Sequence, residues 1–495
     1  MRIEVKELMG KSGVKFGTSG ARGLADQMTD YVCYVYTKGF LQYLESIGEI
    51  NGSGEVAIAG DLRPSTGRIM TAVGQAARDM GYTAMDCGRV PSPAVALYGI
   101  TNNAPAIMVT GSHIPADRNG IKFNKCSGEI LKADEDGITP QIVEADDAVF
   151  GEDGMFASAP ESVGIPCPSA GEMYVRRYLD VFPTNCLAGK KIGIYQHSAV
   201  GRDILVEIYK RLGAELTVLG RSETFIPVDT EAIRPEDVEL AKTWSGENDF
   251  FAIVSTDGDS DRPLIADETG EWIRGDVAGI LCSRYLGADS VSTPVSCNSA
   301  VEKCGYFGSV SRTRIGSPFV IASMNEASAT GARCVVGYEA NGGYLINSDI
   351  TIGGKELKAL PTRDAVILHL GIILLAGQQG KAVSDIVADL PQRFTASDRL
   401  EDFPQESSQA ILAKFSTGDD AKDKAALETL FGDLCGSVDA IDRTDGVRVT
   451  FGNSEVIHMR PSGNAPEFRC YNEASSQARV TELSQACMDV LKSLC

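Results

Sequence analysis

APAIMVTGSHIPADRNGIKF, residues 104–123, is an apolar run that stops at a glycine, passes through turn formers and returns to an apolar run. Short apolar runs cut off by Gly, Asp or Ser and followed by helical patterns are how strands of a mostly parallel α/β sheet read, because a strand covered on both faces is apolar throughout. The signature recurs in VAIAG before Asp61, KIGIYQ before His197, FFAIVS before Thr256 and CVVG before Tyr338. Residues 204–212 and 320–327 carry the period of amphipathic helices. Strand, polar loop and helix thus recur three times, although the letters alone do not establish a repeat.

After residue 404 the pattern changes. DGVRVTF, VIHMR and FRCY read as strands of a smaller antiparallel sheet flanked by helices. The expected architecture is α/β in four domains: 1–160, 161–280 and 281–394 as three related mixed-sheet units, and 395–495 as a smaller C-terminal α+β domain. Candidate linkers are residues 157–172, the turn near Gly287 and residues 390–404.

The chain has 495 residues, 43% of them hydrophobic, enough for several cores. Its 46 basic and 67 acidic residues give a formal net charge of -21, which argues against nucleic acid or an anionic membrane as partner. An anionic substrate would need positive charge gathered locally in a cleft. Thirteen cysteines without a C-x-x-C pair suggest reduced thiols and a cytoplasmic protein. MRIEVKELMGKSG has no signal-peptide core, and AVILHLGIILLAG (365–377) is too short to span a bilayer, so it reads as a buried helix.

STDGDSDRP (255–263) alternates Asp257, Asp259 and Asp261 with small residues, which in an extended loop sends three carboxylates to one side, where their repulsion calls for a cation. Hard oxygen ligands suggest Mg²⁺. A calcium EF-hand is the alternative, since Glu268 falls at the twelfth loop position, but Arg262 stands where the turn needs glycine and a strand precedes the loop. Arg262 beside the acids suits a second anionic group held at the metal. RPSGNAPEFRCY (460–471) offers Arg460, Ser462, Gly463 and Asn464, the donors of an anion cradle or of a common surface loop. GYEANGGYL (337–345) holds Glu339 and Asn341, suited to vicinal sugar hydroxyls or to a plain Asn-Gly turn. In FGTSGARG (16–23), Arg22 is either a phosphate contact or part of a flexible turn.

Ser112 has three readings. A hydrolase elbow needs glycine at 114, where Ile stands, and His113 is too near in sequence for a triad base. A turn serine without a role is possible. With His113 and Lys122 close by, and a metal loop, an arginine loop and a polyol loop elsewhere, the third reading is a carrier hydroxyl for phosphoryl transfer on a sugar.

FGTSGARG, TGSHIPADRNGIKF, DGDSDRP, GYEANGG and RPSGNAPEFR, in that order along essentially the whole chain, resemble the loops of the α-D-phosphohexomutases, the phosphoglucomutases, phosphomannomutases and phosphoglucosamine mutases. The resemblance implies a heart-shaped molecule with a central cleft. It implies Ser112 as phosphoserine, with Asp257, Asp259 and Asp261 joining it as Mg²⁺ ligands. Arg22, His113 and Lys122 would aid proton transfer and charge stabilisation, and Arg262 would contact the transferring group. Glu339 and Asn341 would hold sugar hydroxyls, and Arg460, Ser462, Gly463 and Asn464 the non-reacting phosphate. The implied reaction interconverts hexose 1-phosphate and 6-phosphate, mannose first and glucose second, with hexose 1,6-bisphosphate as intermediate and activator. The sequence departs from many relatives at Ile114 (asparagine), Gly343 (histidine) and Ser317 (histidine). The E-A-N-G form is also reminiscent of acetylglucosamine-phosphate mutases. A silent sugar-phosphate sensor and a metal-dependent phosphatase are rival readings; hinge motion near 390–404 is expected, and nothing in the sequence speaks to oligomeric state.

Overall fold

The computed structural model describes residues 2–494 apart from 18, 19, 53, 159, 161 and 463–465. In the first sheet Thr83–Gly88, Glu55–Gly60 and Ala106–Val109 run parallel, and Arg118–Lys125 returns antiparallel beside Ala106–Val109. The second sheet repeats this order with Glu215–Arg221, Lys191–His197, Ala252–Thr256 and antiparallel Pro263–Ala266. The third repeats it again with Ser309–Thr313, Ser290–Pro294, Val335–Tyr338 and antiparallel Tyr344–Ile346.

Each parallel step is bridged by a helix: Thr66–Asp79 and Ser92–Asn102 in the first unit, Arg202–Arg211 and Pro235–Glu247 in the second, Ala300–Lys303 and Ser317–Ala329 in the third. The repeat invisible in the letters is explicit in the topology. The apolar runs are strands because helices cover both faces, which leaves no polar side to alternate.

The antiparallel return matters most for function. It joins the third and fourth strands by a short turn, and that turn lies at the carboxyl end of a parallel strand, the edge where α/β sheets bind ligands. The three turns are residues 110–117, 257–262 and 339–343.

One hydrophobic cluster runs from Ala57 and Ala59 of the first sheet through the second and third units to Leu390. The helix Ala365–Gln379 lies within it, buried almost along its whole length, as expected of AVILHLGIILLAG. His369 on this helix is held neutral by burial, which pushes its pKa down to about 3. Among the described residues no helix is long and apolar enough to cross a membrane.

The C-terminal sheet is antiparallel, ordered Phe394–Leu400, Phe468–Ala474, Val456–Pro461, Val447–Phe451, Val438–Asp442, with helices Gln405–Ala413, Asp420–Cys435 and Gln477–Ser493 and a core of its own. Two expected linkers are corrected. Residues 157–172 include Ile165–Pro166, which extends the first sheet in parallel with Thr83–Gly88. Residues 390–404 contain the edge strand Phe394–Leu400, paired along seven positions with Phe468–Ala474. Gly and Pro mark these stretches, but backbone pairing partners from distant sequence order them.

Candidate active site

The Ser112 turn is held by its carbonyls. Arg63, buried after the strand Glu55–Gly60, donates through Nη2 to the Ser112 carbonyl (2.8 Å) and through Nη1 to that of Arg118 (3.0 Å), with further contacts to the carbonyls of Ile114 and Pro115. Its Nε is paired with Asp61 at 3.0 Å. Asp61 also accepts from Thr110 Oγ1, which in turn receives the Ser112 amide, both at 2.7 Å. These bonds hold Ser112 in the left-handed region, φ 56°, unusual for a residue with a side chain.

The second turn meets the first. Gly258 packs so closely on it that a Cβ there would lie 2.7 Å from the Ser112 carbonyl oxygen. Ser112 Oγ donates to Asp257 Oδ2 at 2.6 Å. The EF-hand alternative is excluded by this geometry: 257–262 is a strand-to-strand turn closed by the Thr256–Pro263 pair, and Glu268 accepts bonds from Ser384 instead.

Asp257, Asp259 and Asp261 are buried, with ligand atoms all within 4.8 Å of one another. Burial and the charges of Asp259 and Asp261 raise the Asp257 pKa well above the carboxylate range. Lys122 Nζ reaches Asp259 Oδ2 at 2.6 Å and Asp261 Oδ2 at 2.7 Å, and Ser92 Oγ also donates to Asp259. Burial opposes the Lys122 charge, yet the two aspartates outweigh it and raise its pKa; Asp259 is lowered, burial notwithstanding, by Lys122 and Ser92. Asp259 Oδ1 and Asp261 Oδ1 remain buried without a hydrogen-bond partner. Carboxylate oxygens without a protein partner, clustered and buried, suit a hard divalent cation.

His113 is neutral. Burial first, then Arg262, Arg22 and Lys122, drive its pKa down to about 2. Arg262 Nη1 donates to His113 Nδ1 at 2.7 Å, so the ring proton is on Nε2, 3.9 Å from Asp229 Oδ2. Arg22 is part of the strand Gly20–Leu24 opposite Gly120, which corrects the flexible-turn reading and puts it on the same sheet face as Lys122. Burial and Arg262 lower its pKa to about 10.

Beside the buried aspartates, Arg22, His113, Lys122 and Arg262 open onto a cleft of about 900 Å³ that Glu339, Asn341, Arg460 and Ser462 also line. Nine Lys and Arg line it against five Asp and Glu, a local reversal of the chain's net charge of -21. Glu339 and Asn341 occupy the third turn, so all three equivalent turns face one space. Arg460 and Ser462 end the strand Val456–Pro461 of the C-terminal sheet; Gly463 and Asn464 lie outside the described residues.

Sequence reasoning missed Arg63, Arg363 and the cleft-lining Lys132, Arg314, Arg399 and Arg469. Arg63 had a signal, an Asp-x-Arg directly after an apolar strand, and Arg469 ends the quoted loop of the fourth unit. Also missed was the segment 222–233, which crosses from the second unit. Its Phe225 ring stacks 4.2 Å from the Arg63 guanidinium, and Thr230 Oγ1 donates to the Asn341 carbonyl at 2.6 Å.

Comparison with known proteins converges on the same arrangement. Residues 13–148, 274–394 and 412–490 match the profiles described as phosphoglucomutase/phosphomannomutase alpha/beta/alpha domain I, alpha/beta/alpha domain III and C-terminal domain. The chain is 42% identical over 487 residues to a phosphomannomutase of Salmonella muenchen, covering 98% of this chain and 97% of that one. It is also 42% identical over 484 residues to a phosphomannomutase of Sinorhizobium fredii, covering 97% and 99%. A solved phosphoglucomutase/phosphomannomutase family protein from Burkholderia thailandensis shares the fold at TM-score 0.73 and 19% identity, over 96% of each chain. The three-fold turn architecture, the aspartate cluster and these matches together place the chain in the α-D-phosphohexomutase family, as a mutase that transfers phosphoryl groups.

Proposed function

We propose that this enzyme interconverts mannose 1-phosphate and mannose 6-phosphate through phosphorylated Ser112 and a hexose 1,6-bisphosphate, with glucose phosphate as second substrate. The reading rests on Ser112 Oγ lying against Asp257 at the edge of a cationic cleft. The mannose preference rests on the two relatives named as phosphomannomutases.

In the forward direction the free 6-hydroxyl of a hexose 1-phosphate attacks the phosphorus on Ser112. The O6–P bond forms as the Oγ–P bond breaks, and the hydroxyl proton passes to a cleft group. Arg22, whose pKa is depressed, is the residue best prepared to exchange it. The bisphosphate turns round, and Ser112 Oγ takes the phosphoryl from O1, releasing hexose 6-phosphate. Asp257, Asp259 and Asp261, with the Ser112 phosphate, would hold Mg²⁺, which neutralises charge on the transferring group. Lys122 and Arg262 add fixed positive charge there. Glu339 and Asn341 select the sugar, while Arg460 and Ser462 anchor the idle phosphate, with Gly463 and Asn464 proposed on sequence alone. The proposed setting is the cytoplasm, consistent with twelve unpaired cysteines among the described residues.

A phosphorus NMR time course with Mg²⁺ and a trace of glucose 1,6-bisphosphate tests this on mannose, glucose and N-acetylglucosamine 1-phosphates. Fastest conversion of the mannose ester is expected. Fastest conversion of the amino sugar would replace the substrate assignment, free phosphate would indicate a phosphatase, and binding without conversion a sensor.

A further inference from the structure

Gly343 closes the third turn, and its backbone would accept any residue. What first excludes a side chain there is Arg363: a Cβ at 343 would lie 2.5 Å from Arg363 Cδ and 2.8 Å from Cγ, with Asn341 Oδ1 next at 3.0 Å. Ser317 Oγ, at the start of the helix Ser317–Ala329, approaches Arg363 Nη1 at 3.3 Å and donates to Glu129 Oε2 at 2.8 Å. Gly343 therefore packs on the stem of Arg363 and Ser317 on its guanidinium.

That guanidinium is buried, and each of its nitrogens has a carboxylate. Nε reaches Asp261 Oδ2 at 3.0 Å, Nη1 reaches Glu339 Oε2 at 3.3 Å, and Nη2 reaches Glu129 Oε1 at 3.4 Å. The partners come from the aspartate turn of the second unit, the Glu339 turn of the third, and the strand Gly128–Glu129 of the first. A planar fork with donors in fixed directions can register three such groups, whereas an ammonium is a single point charge. Burial disfavours the charge, but the surrounding carboxylates hold the guanidinium protonated.

We propose that Arg363 is a positioning residue for phosphoryl transfer. Its guanidinium locks the aspartate turn, the sugar turn and the first unit into one register, and Gly343 and Ser317 are small because Arg363 fills the volume between them. The part concerning sugar grip rests on the reading of Glu339 as a hydroxyl contact.

The test is a double-mutant cycle on the full chain with Gly343→His, Arg363→Ala and both together, plus Arg363→Lys alone. Each is read by kcat and KM for mannose 1-phosphate, by the Mg²⁺ concentration for half activation, and by thermal midpoint without substrate. Arg363→Lys should raise KM and the Mg²⁺ requirement at least tenfold each, which a loss of folded protein would not do. Gly343→His should lower the thermal midpoint in the parent but much less beside Arg363→Ala, a non-additive pair. Additive midpoints, or a lysine variant with parental KM and Mg²⁺ requirement, would overturn the inference. If Arg363→Ala proves insoluble, the cycle is run with Arg363→Ser, which lacks the Cδ that lies nearest, paired with Gly343→Ala. A parent without mutase activity would sink the functional reading instead, and the midpoint cycle would still decide the packing between residues 343 and 363.

Discussion

Ser112 is held by a backbone bond to a side chain 49 residues away, so its chemistry and its placement separate cleanly. Ser112→Ala removes only the hydroxyl. It should reduce turnover by at least a thousandfold in the coupled mutase assay while bisphosphate still binds in calorimetry. Arg63→Ala attacks the placement and leaves Asp61 as an unpaired buried charge. Since breaking such a pair costs about 3–5 kcal/mol, urea denaturation should show a loss of that order. That Ser112, the three aspartates and Lys122 would meet at one place was readable in the sequence because each belongs to a local pattern of residue types with a chemical reason. Arg63 and Arg363 were not, because their partners are carbonyls and carboxylates supplied by other units, and one sequence carries no trace of such distant pairing.

The three turns at the cleft are one element used three times. In each unit a parallel strand hands over to an antiparallel return, and each corner sends residues to the cleft: Thr110 and His113, then Arg262, then Glu339 and Asn341. The strands and their flanking helices were readable from apolar runs and period, but the identity of the three corners required the pairing registers. The segment 222–233 shows the opposite limit, since it has no regular structure and its role comes from what it touches. Thr230→Val removes its bond to the Asn341 carbonyl without changing shape. The expected result is a KM for hexose phosphate raised several-fold, with a stability change of about 1 kcal/mol in denaturant titration. An unchanged KM would show that the third turn holds its shape alone.

At the scale of the molecule, polar contacts made by two acidic side chains help attach the C-terminal unit to the third. Glu473 accepts from the Ser299 amide at 3.0 Å and pairs with Arg393, and Asp445 Oδ2 accepts from the Ile315 amide at 3.0 Å. Since Phe394–Leu400 belongs to the last sheet, the pivot for any closure falls just before it. Scattering with and without glucose 1,6-bisphosphate should show a more compact particle when bound, and Glu473→Ala should widen the difference; identical profiles would refute closure. The hydrophobic clusters add a consequence for biosynthesis. The interior shared by the first three units needs nothing beyond Leu390, whereas the last unit packs its own interior from residues 411–491. Domains fold as units during translation, N-terminal first. On the ribosome the nascent chain can therefore complete the Ser112 turn and the aspartate cluster while the last unit is still in the exit tunnel, and a stalled or truncated product would hold three clustered buried carboxylates beside a cleft whose fourth wall is missing.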